Sequence, residues 1–500
     1  MTSTIGLPQI WLLSPELSVT LLSFVVLGLD LVTRRKTVTW ATALIGLLIP
    51  LALTFSLAFN WFGARSTSGF YGMLKVDDYA IFFELLFLLI GFCVILVSYR
   101  YVEKYLRASP GEYYSIILMS LAGMMLMGSS GELITIYISL ELTSIPLYIL
   151  AGLSRTDTRS AEASVKYVLL GAMSSAILLY GMTLIYGATG TTDLLEVAKA
   201  TTTVLHNGNL LLIVGEIFIF AGFGFKVSAV PFHMWAPDIY EGAPTPSTLF
   251  FSVGSKAAGF AALLRVFVFG GLVALNNDYL WVMVAVVAAL TMIVGNVGAL
   301  LQTNIKRMMA YSSIGQAGYL LVGFAALIIH KSAVGNQAMM VFLFVFVVTN
   351  IGAFTGIIAL ADATGRENIR DFDGFGRRSP WIAAGMGVCL LTLAGIPPMA
   401  GFWSKLVIFW AAWGQGSGMT LLVILGLLMS AVSIVYYANV VWRMFVIEPE
   451  KKREFVQTTP SVGLTMAIAV IGVFALTILF GQLMVQVGVG ANSLFNVLVR

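Results

Sequence analysis

The chain has 500 residues, of which 59% are apolar and 10% charged, and its mean hydropathy is +0.93. No soluble core needs so much apolar surface, so the composition excludes an ordinary water-soluble enzyme and implies a chain embedded in lipid. The 28 Lys and Arg against 24 Asp and Glu leave a formal charge of +4, too small and too dispersed among short loops for a nucleic-acid partner.

The first apolar run, 15–32, has no Lys or Arg before it and Arg34, Arg35 and Lys36 directly after it. That is the reverse of a secretory signal, so it is read as a true first transmembrane helix with its N-terminus outside. Further spans follow at about 38–62, 77–99, 112–130, 132–153, 161–188, 209–228, 246–270, 279–301, 308–329, 337–361, 380–413, 418–446 and 461–486. Each has the roughly 20 residues that cross ~30 Å of hydrocarbon. The expected fold is therefore all-α and polytopic, with about fourteen transmembrane helices. Polar segments between spans are too short for a soluble module, so residues 1–500 form a single transmembrane domain. Cys93 and Cys389 sit inside apolar runs, which speaks against a disulfide, metal centre or haem and predicts no redox centre on this chain.

Basic residues test the count of spans. With the N-terminus outside, the inner loops hold Arg34, Arg35, Lys36, Arg100, Lys104, Arg107, Arg155, Arg159, Lys306, Arg307, Arg366, Arg370, Arg377, Arg378, Arg443, Lys451, Lys452 and Arg453. The outer side holds only Arg65, Lys75, Lys199, Lys331 and Arg500. A missed or invented helix would scramble this asymmetry. An even number of crossings puts both termini on the outer side.

Residues 15–99 form three N-terminal helices. Residues 112–270 and 279–446 then form two blocks of five helices, and an odd number of crossings inverts the second relative to the first. Each block contains a proline-broken helix. The first break lies in GFGFKVSAVPFHMWAPDIYEGAPTP (222–246), where Pro231, Pro237, Pro244 and Pro246 forbid an uninterrupted helix. The second lies in LAGIPPMAGFWSKLVIF, around Gly395, Pro397, Pro398 and Gly401. Paired breaks in inverted repeats mark ion pathways in transporters; the alternative is two unrelated kinks. Residues 461–486 supply the last helix.

Five basic residues fall inside or at the ends of spans: Lys166, Lys226, Lys256, Arg265 and Lys405. Glu141, in GELITIYISLELTSIPLYILAG, lies ~14 to 18 Å of helix from either surface and cannot reach water by snorkelling. Each uncompensated charge at this depth costs roughly 2.5–3.5 kcal/mol. The economical arrangement pairs Glu141 with Lys226 and strings Lys256 and Lys405 along the interior as a proton relay; a static structural Glu–Lys pair is the alternative. A pair at ~4 Å interacts by about 4 kcal/mol, enough to switch a lysine between holding and releasing a proton. Lys166 and Arg265 read as snorkelling anchors. Glu84, in FFELLFLL, is either a proton group or a partner for a neighbouring chain. His233, in PFHMW, reads as a helix-break residue bonded to backbone or water, with proton relay as the alternative. His206 and His330 fall in outer loops.

The runs PFHMWAPDIYEGAPTPST, GELITIYISLEL, NIKRMMAYSSIGQAGY and GIPPMAGFWSK, in this order over nearly the whole chain, resemble the antiporter-like membrane subunits of respiratory complex I. The DIYEGAPTP tail, Lys405 on the second break and the short C-terminus are similar to the N-type member of that family. Gln316 stands where some relatives have histidine. The resemblance implies Glu141 and Lys226 as the input pair, Lys256 as the central relay and Lys405 as the exit. It also implies NADH, FMN, iron–sulfur clusters and quinone in partner subunits of the membrane and redox arms, with no cofactor on this chain. Without a targeting segment in the sequence the expected location is a bacterial inner membrane, an organellar one being the alternative. A subunit of a multi-subunit cation/proton antiporter and a mainly structural membrane-arm subunit are the alternatives.

Overall fold

Backbone N–H and C=O groups in hydrocarbon must be satisfied within the chain, so apolar runs of this length become helices. The computed structural model describes residues 7–33, 35–59, 67–105, 110–154, 156–204, 209–274, 278–330, 333–448 and 458–495. Arg34, Arg65, Arg107, Arg155, His206, Lys331, Lys451, Lys452, Arg453 and Arg500 lie outside the described residues.

The helices in chain order are α1 (Ser14–Thr33), α2 (Lys36–Ala58), α3 (Asp78–Tyr105), α4 (Pro110–Ser129), α5 (Leu133–Ala151), α6 (Thr158–Thr189), α7 (Leu210–Val227), α8 (Trp235–Gly242), α9 (Thr245–Phe269), α10 (Asp278–Leu300), α11 (Ile305–His330), α12 (Ala333–Thr364), α13 (Pro380–Ala394), α14 (Ala400–Ala412), α15 (Ser417–Phe445), α16 (Pro460–Ile478) and α17 (Phe480–Phe495). Among the described residues, twelve helices are long and apolar enough to cross a membrane. The expected span at 112–130 is α4, whose 20 residues include Glu112, two tyrosines and several serines and fall short in apolarity. The expected span at 380–413 is two shorter helices, α13 and α14, of 15 and 13 residues.

Local chemistry explains the other departures. α2 jogs at Leu47 because Pro50 has no N–H to bond the Gly46 carbonyl. The span expected at 461–486 breaks at Leu479. The second piece, α17, is held by α12, where Gln337 Nε2 donates to the Met484 carbonyl at 2.5 Å and Asn336 Nδ2 to that of Ala491 at 3.3 Å. A two-stranded antiparallel hairpin, Thr67–Gly69 with Leu74–Val76, is a small exception to the all-helical expectation.

Burial is graded from the centre outward. The apolar window of α9 is 100% buried and those of α11 and α12 are 94% buried, whereas α1 and α15 reach only 28%. Polar side chains on α9, α11 and α12 therefore need partners within the protein, from other side chains or from freed backbone groups.

Candidate functional site

Both proline-rich stretches break a helix, and both breaks take carbonyls out of the regular helical hydrogen-bond pattern. α7 ends on Ser228, whose φ of 60° is left-handed; Ser228 N donates to Phe225 O at 3.0 Å and Ala229 N to Gly224 O at 2.8 Å. The Trp235 indole N–H then donates to Phe225 O at 2.7 Å, while its ring stacks on Tyr167 with centroids 4.8 Å apart. Pro237 and Pro246 fall in the first turns of α8 and α9, where a missing N–H does no harm. α13 ends on Gly395 with φ +83°, and there the freed carbonyls are met by a charge: Lys405 Nζ donates to Leu393 O at 2.9 Å and Ala394 O at 3.0 Å. The lysine on α14 reaches them because Gly401 lets the helix start against α13; a Cβ there would stand 1.8 Å from Thr392 O.

Lys226 occupies the last turn of α7 and is 4% exposed. Its Nζ donates to the Ser144 hydroxyl on α5 and lies 5.7 Å from the centroid of the Tyr148 ring. Glu141, one turn before Ser144, is only half-buried and accepts from the Ser175 hydroxyl of α6. The direct Glu141–Lys226 ion pair expected from burial is therefore not formed: no described contact within 4 Å joins the two, although the carboxylate contributes to the electrostatic field at the amine. The reason is steric placement, since Ser144 lies one turn closer to the end of α7 and fills the gap. Pro146, inside α5, also leaves the Leu142 carbonyl without its helical donor.

Lys256 is 2% exposed and follows a π-helical turn, Phe251–Ser255, that widens α9. Its Nζ donates to the Ser313 carbonyl on α11 at 2.6 Å. One turn on, Gly259 packs against Lys226, where an added Cβ would stand 3.1 Å from the Lys226 Cβ. The two lysine-bearing helices meet by packing; among the described residues no hydrogen bond joins the lysines.

From Lys256 onward polar groups follow along α11, the step from Ser313 to Ser312 being one of chain adjacency. Ser313 Oγ lies 3.4 Å from the Tyr240 hydroxyl, and the neighbouring Ser312 hydroxyl is bonded to that of Tyr437 on α15. Gln316 Nε2 donates to Tyr437 Oη at 3.4 Å and to Leu393 O at 3.2 Å, the same carbonyl that Lys405 caps. Lys405 also donates to Ser430 Oγ at 3.1 Å and stands 5.0 Å above the Tyr319 ring. The Tyr319 hydroxyl accepts from Asn296 Nδ2 at 3.2 Å, and Asn296 Oδ1 accepts from the Tyr436 hydroxyl at 3.1 Å. A cavity of about 10 Å³ beside Lys405, Gln316 and Thr392 gives about the room one water needs. Both amide hydrogens of Gln316 are thus committed to these two acceptors.

His233 lies in the first break, half-buried, and its Nδ1 has no partner among the described residues. No described contact joins it to a lysine.

The structure corrects the anchor assignment of Arg265 and gives Lys166 ion-pair partners. Arg265 is 0% exposed and pairs bidentately with Asp77, at 2.6 and 2.9 Å, because Asp77 stands at the start of α3 facing it. Lys166 bonds Glu162 at 2.7 Å and Asp238 at 2.8 Å. Arg307 meets the other Asp238 oxygen at 2.8 Å and Glu241 at 3.0 Å, closing an ionic lattice over α8 beside a cleft of about 260 Å³. Burial acts to raise the Asp238 pKa, but the hydrogen bonds and charges of Lys166 and Arg307 outweigh it and hold the carboxyl below its ordinary value. Glu84 is fully buried, so it offers nothing to a neighbouring chain. The participants unforeseen from the sequence are hydroxyls and one amide: Ser144, Ser175, Ser312, Asn296, Tyr436 and Tyr437. Serines and tyrosines spaced along the interior faces of apolar spans were the available signal.

A family model described as NADH:quinone oxidoreductase/Mrp antiporter, transmembrane, matches residues 130–433. NADH-quinone oxidoreductase subunit N from Moorella thermoacetica is 46% identical over 418 residues, covering 83% of this chain and 86% of that one. The subunit N of Desulforamulus reducens is 42% identical over 489 residues, covering 96% and 98%. A chain of respiratory complex I from Thermus thermophilus, solved with bound aureothin, is 30% identical with a TM-score of 0.76, over 94% of this chain and 98% of its own.

Proposed function

The chain belongs to the N-type, antiporter-like membrane subunits of proton-pumping NADH-quinone oxidoreductase, and from that premise we propose that its buried lysines carry the protons. Glu141 and Lys226 take up the proton, Lys256 receives it at the centre and Lys405 delivers it to the outer side. Electron transfer from NADH to quinone, through FMN and iron–sulfur clusters, takes place in the partner subunits of the redox arm. The observation that carries this reading is the buried series of polar groups between the lysines: Lys256 on the Ser313 carbonyl, and, beginning at the adjacent Ser312, a bonded set through Tyr437, Gln316 and the Leu393 carbonyl to Lys405. A buried polar run that served only stability could be replaced by apolar packing at little cost.

Lysine suits the task because its ammonium has no fixed partner anion along this run. Each lysine is held by carbonyl or hydroxyl oxygens, which stabilise the charged form without locking it. The half-buried Glu141 acts on Lys226 through space, so a change in its charge or distance alters the hold on the Lys226 proton. Moving one charge outward against 100 mV costs about 2.3 kcal/mol, which the redox reaction supplies.

The full topology belongs to the same proposal: fourteen crossings, both termini outside in a bacterial inner membrane, and two inverted five-helix repeats at 112–270 and 279–446. Counting α4 as one crossing and the broken α13–α14 as another brings the twelve long apolar helices to fourteen. The two lysine-bearing breaks support the repeat, with Lys226 on the helix before its break and Lys405 on the helix after.

The test is the complex carrying Lys256→Ala, purified from its native membrane and reconstituted in liposomes, with NADH oxidation and lumen acidification followed together. Loss of proton movement attributable to this subunit is expected. Pumping at the unaltered ratio of protons to NADH would remove Lys256 from the pathway.

A further inference from the structure

Away from the lysine run, the three N-terminal helices enclose two carboxyl groups with no cation of their own. Glu16, in the first turn of α1, is 1% exposed, and Glu84, on α3, is 0% exposed. Each has a single described side-chain donor. The Ser129 hydroxyl at the end of α4 gives its proton to Glu16 Oε1 at 3.0 Å, and the Thr54 hydroxyl of α2 gives its own to Glu84 Oε2 at 3.0 Å. The second oxygen of each, Glu16 Oε2 and Glu84 Oε1, is buried without a hydrogen-bond partner. The two lie in packed stretches, since Gly128, beside Ser129, sits against Phe83, beside Glu84, where an added Cβ would stand 3.2 Å from the Phe83 Cβ; the carboxyls act on each other electrostatically.

Arg265, buried on α9, is already committed. Arg265 gives Nη1 and Nη2 to the two oxygens of Asp77, and Nε and Nη2 also reach the Gly128 carbonyl at 3.2 and 2.7 Å. Asp77 lies two turns before Glu84 on the same face of α3, since seven residues nearly close two turns of 3.6. Arg265 therefore balances Asp77 and leaves Glu16 and Glu84 unbalanced. Two ionised carboxylates with one hydroxyl donor apiece are not sustainable in a dry interior, where like charges keep each other from ionising together. The members differ, however. Glu16 stands at a helix N-terminus, which favours negative charge, whereas Glu84 stands well inside α3 with no such help.

We propose that Glu16 and Glu84 form a second proton-binding site in this chain, a coupled pair that carries one proton, resident on Glu84. The buried, unpartnered Oε1 of Glu84 is where that proton sits. Two free oxygens are too few to enclose a metal cation, and among the described residues no group of three or more His, Cys, Asp or Glu side chains could hold one. The site is built from α1, α2, α3 and α4, and it stands whether or not the lysines transport protons.

The test is infrared difference spectroscopy on the whole complex in lipid, comparing wild type with Glu84→Gln and with Glu16→Gln, each before and after exchange into deuterium oxide. A protonated carboxyl shows a carbonyl-stretch band above the amide region that shifts on deuteration. The expected result is loss of one such band in Glu84→Gln, and its retention at a displaced frequency in Glu16→Gln, where the neighbouring charge is gone. A spectrum unchanged in Glu84→Gln would show that Glu84 is ionised and would overturn the site. A band indifferent to Glu16→Gln would overturn the pairing. If either glutamine variant does not assemble, Glu84→Asp and Glu16→Asp keep the carboxyl on a shorter stem, and the same band must then move in both.

Discussion

Lys226 on α7 donates its ammonium hydrogen bond to the Ser144 hydroxyl on α5, so a neutral side chain stands where an anion would have been the simpler partner. Ser144 in turn bonds the Leu140 carbonyl of its own helix, one residue before Glu141. The hydroxyl thus couples the lysine to the helix that carries the carboxylate, and any movement of α5 against α7 is felt at the ammonium.

Ser144→Ala removes the hydrogen bond and leaves the helices packed. A hydrogen bond to a charged group contributes about 1.5–3 kcal/mol, roughly a 10- to 100-fold change in how firmly Lys226 holds its proton. The expected outcome is an assembled complex with impaired proton pumping, restored in large part by Ser144→Thr. Proton-to-NADH ratios in liposomes for the two variants check this; equal ratios in both variants and wild type would make the bond incidental.

Lys405→Met keeps the length of the side chain and loses its donors. The Ala394 carbonyl is then left uncapped, at a cost of about 1–3 kcal/mol. Leu393 O retains Gln316 as a donor. The variant is expected both to stop pumping and to lower the thermal stability of the subunit in mild detergent. Lys405→Arg should recover stability more than pumping, because a guanidinium donates to carbonyls but does not give up its proton.

Asp77 and Arg265 form a buried pair whose disruption from one side leaves a bare charge. Asp77→Asn should therefore cost about 3–5 kcal/mol, enough to prevent accumulation of the folded chain, and Asp77→Asn combined with Arg265→Met should recover much of it. Yield and monodispersity on size-exclusion chromatography read the comparison. A single variant as stable as the double would contradict the assignment.

The spans, the two breaks and the buried lysines were legible in the sequence because each depends on a property of one segment. Hydrocarbon demands helices of a set length, proline removes a donor wherever it stands, and a lysine in an apolar run has a cost that demands a purpose. The partner of each charge was not legible, because partners are chosen by helices far apart in the chain. Glu141 meets Ser175 rather than Lys226, and Lys405 meets carbonyls freed by a break on another helix. Arg265 shows the limit most plainly: from its position near the end of an apolar run it reads as an anchor at the membrane surface, and only the packing of α9 against α3 and α4 puts Asp77 and the Gly128 carbonyl around it. Hydropathy along a chain measures the cost of burying a group, whereas the tertiary structure alone decides which oxygen or charge offsets that cost.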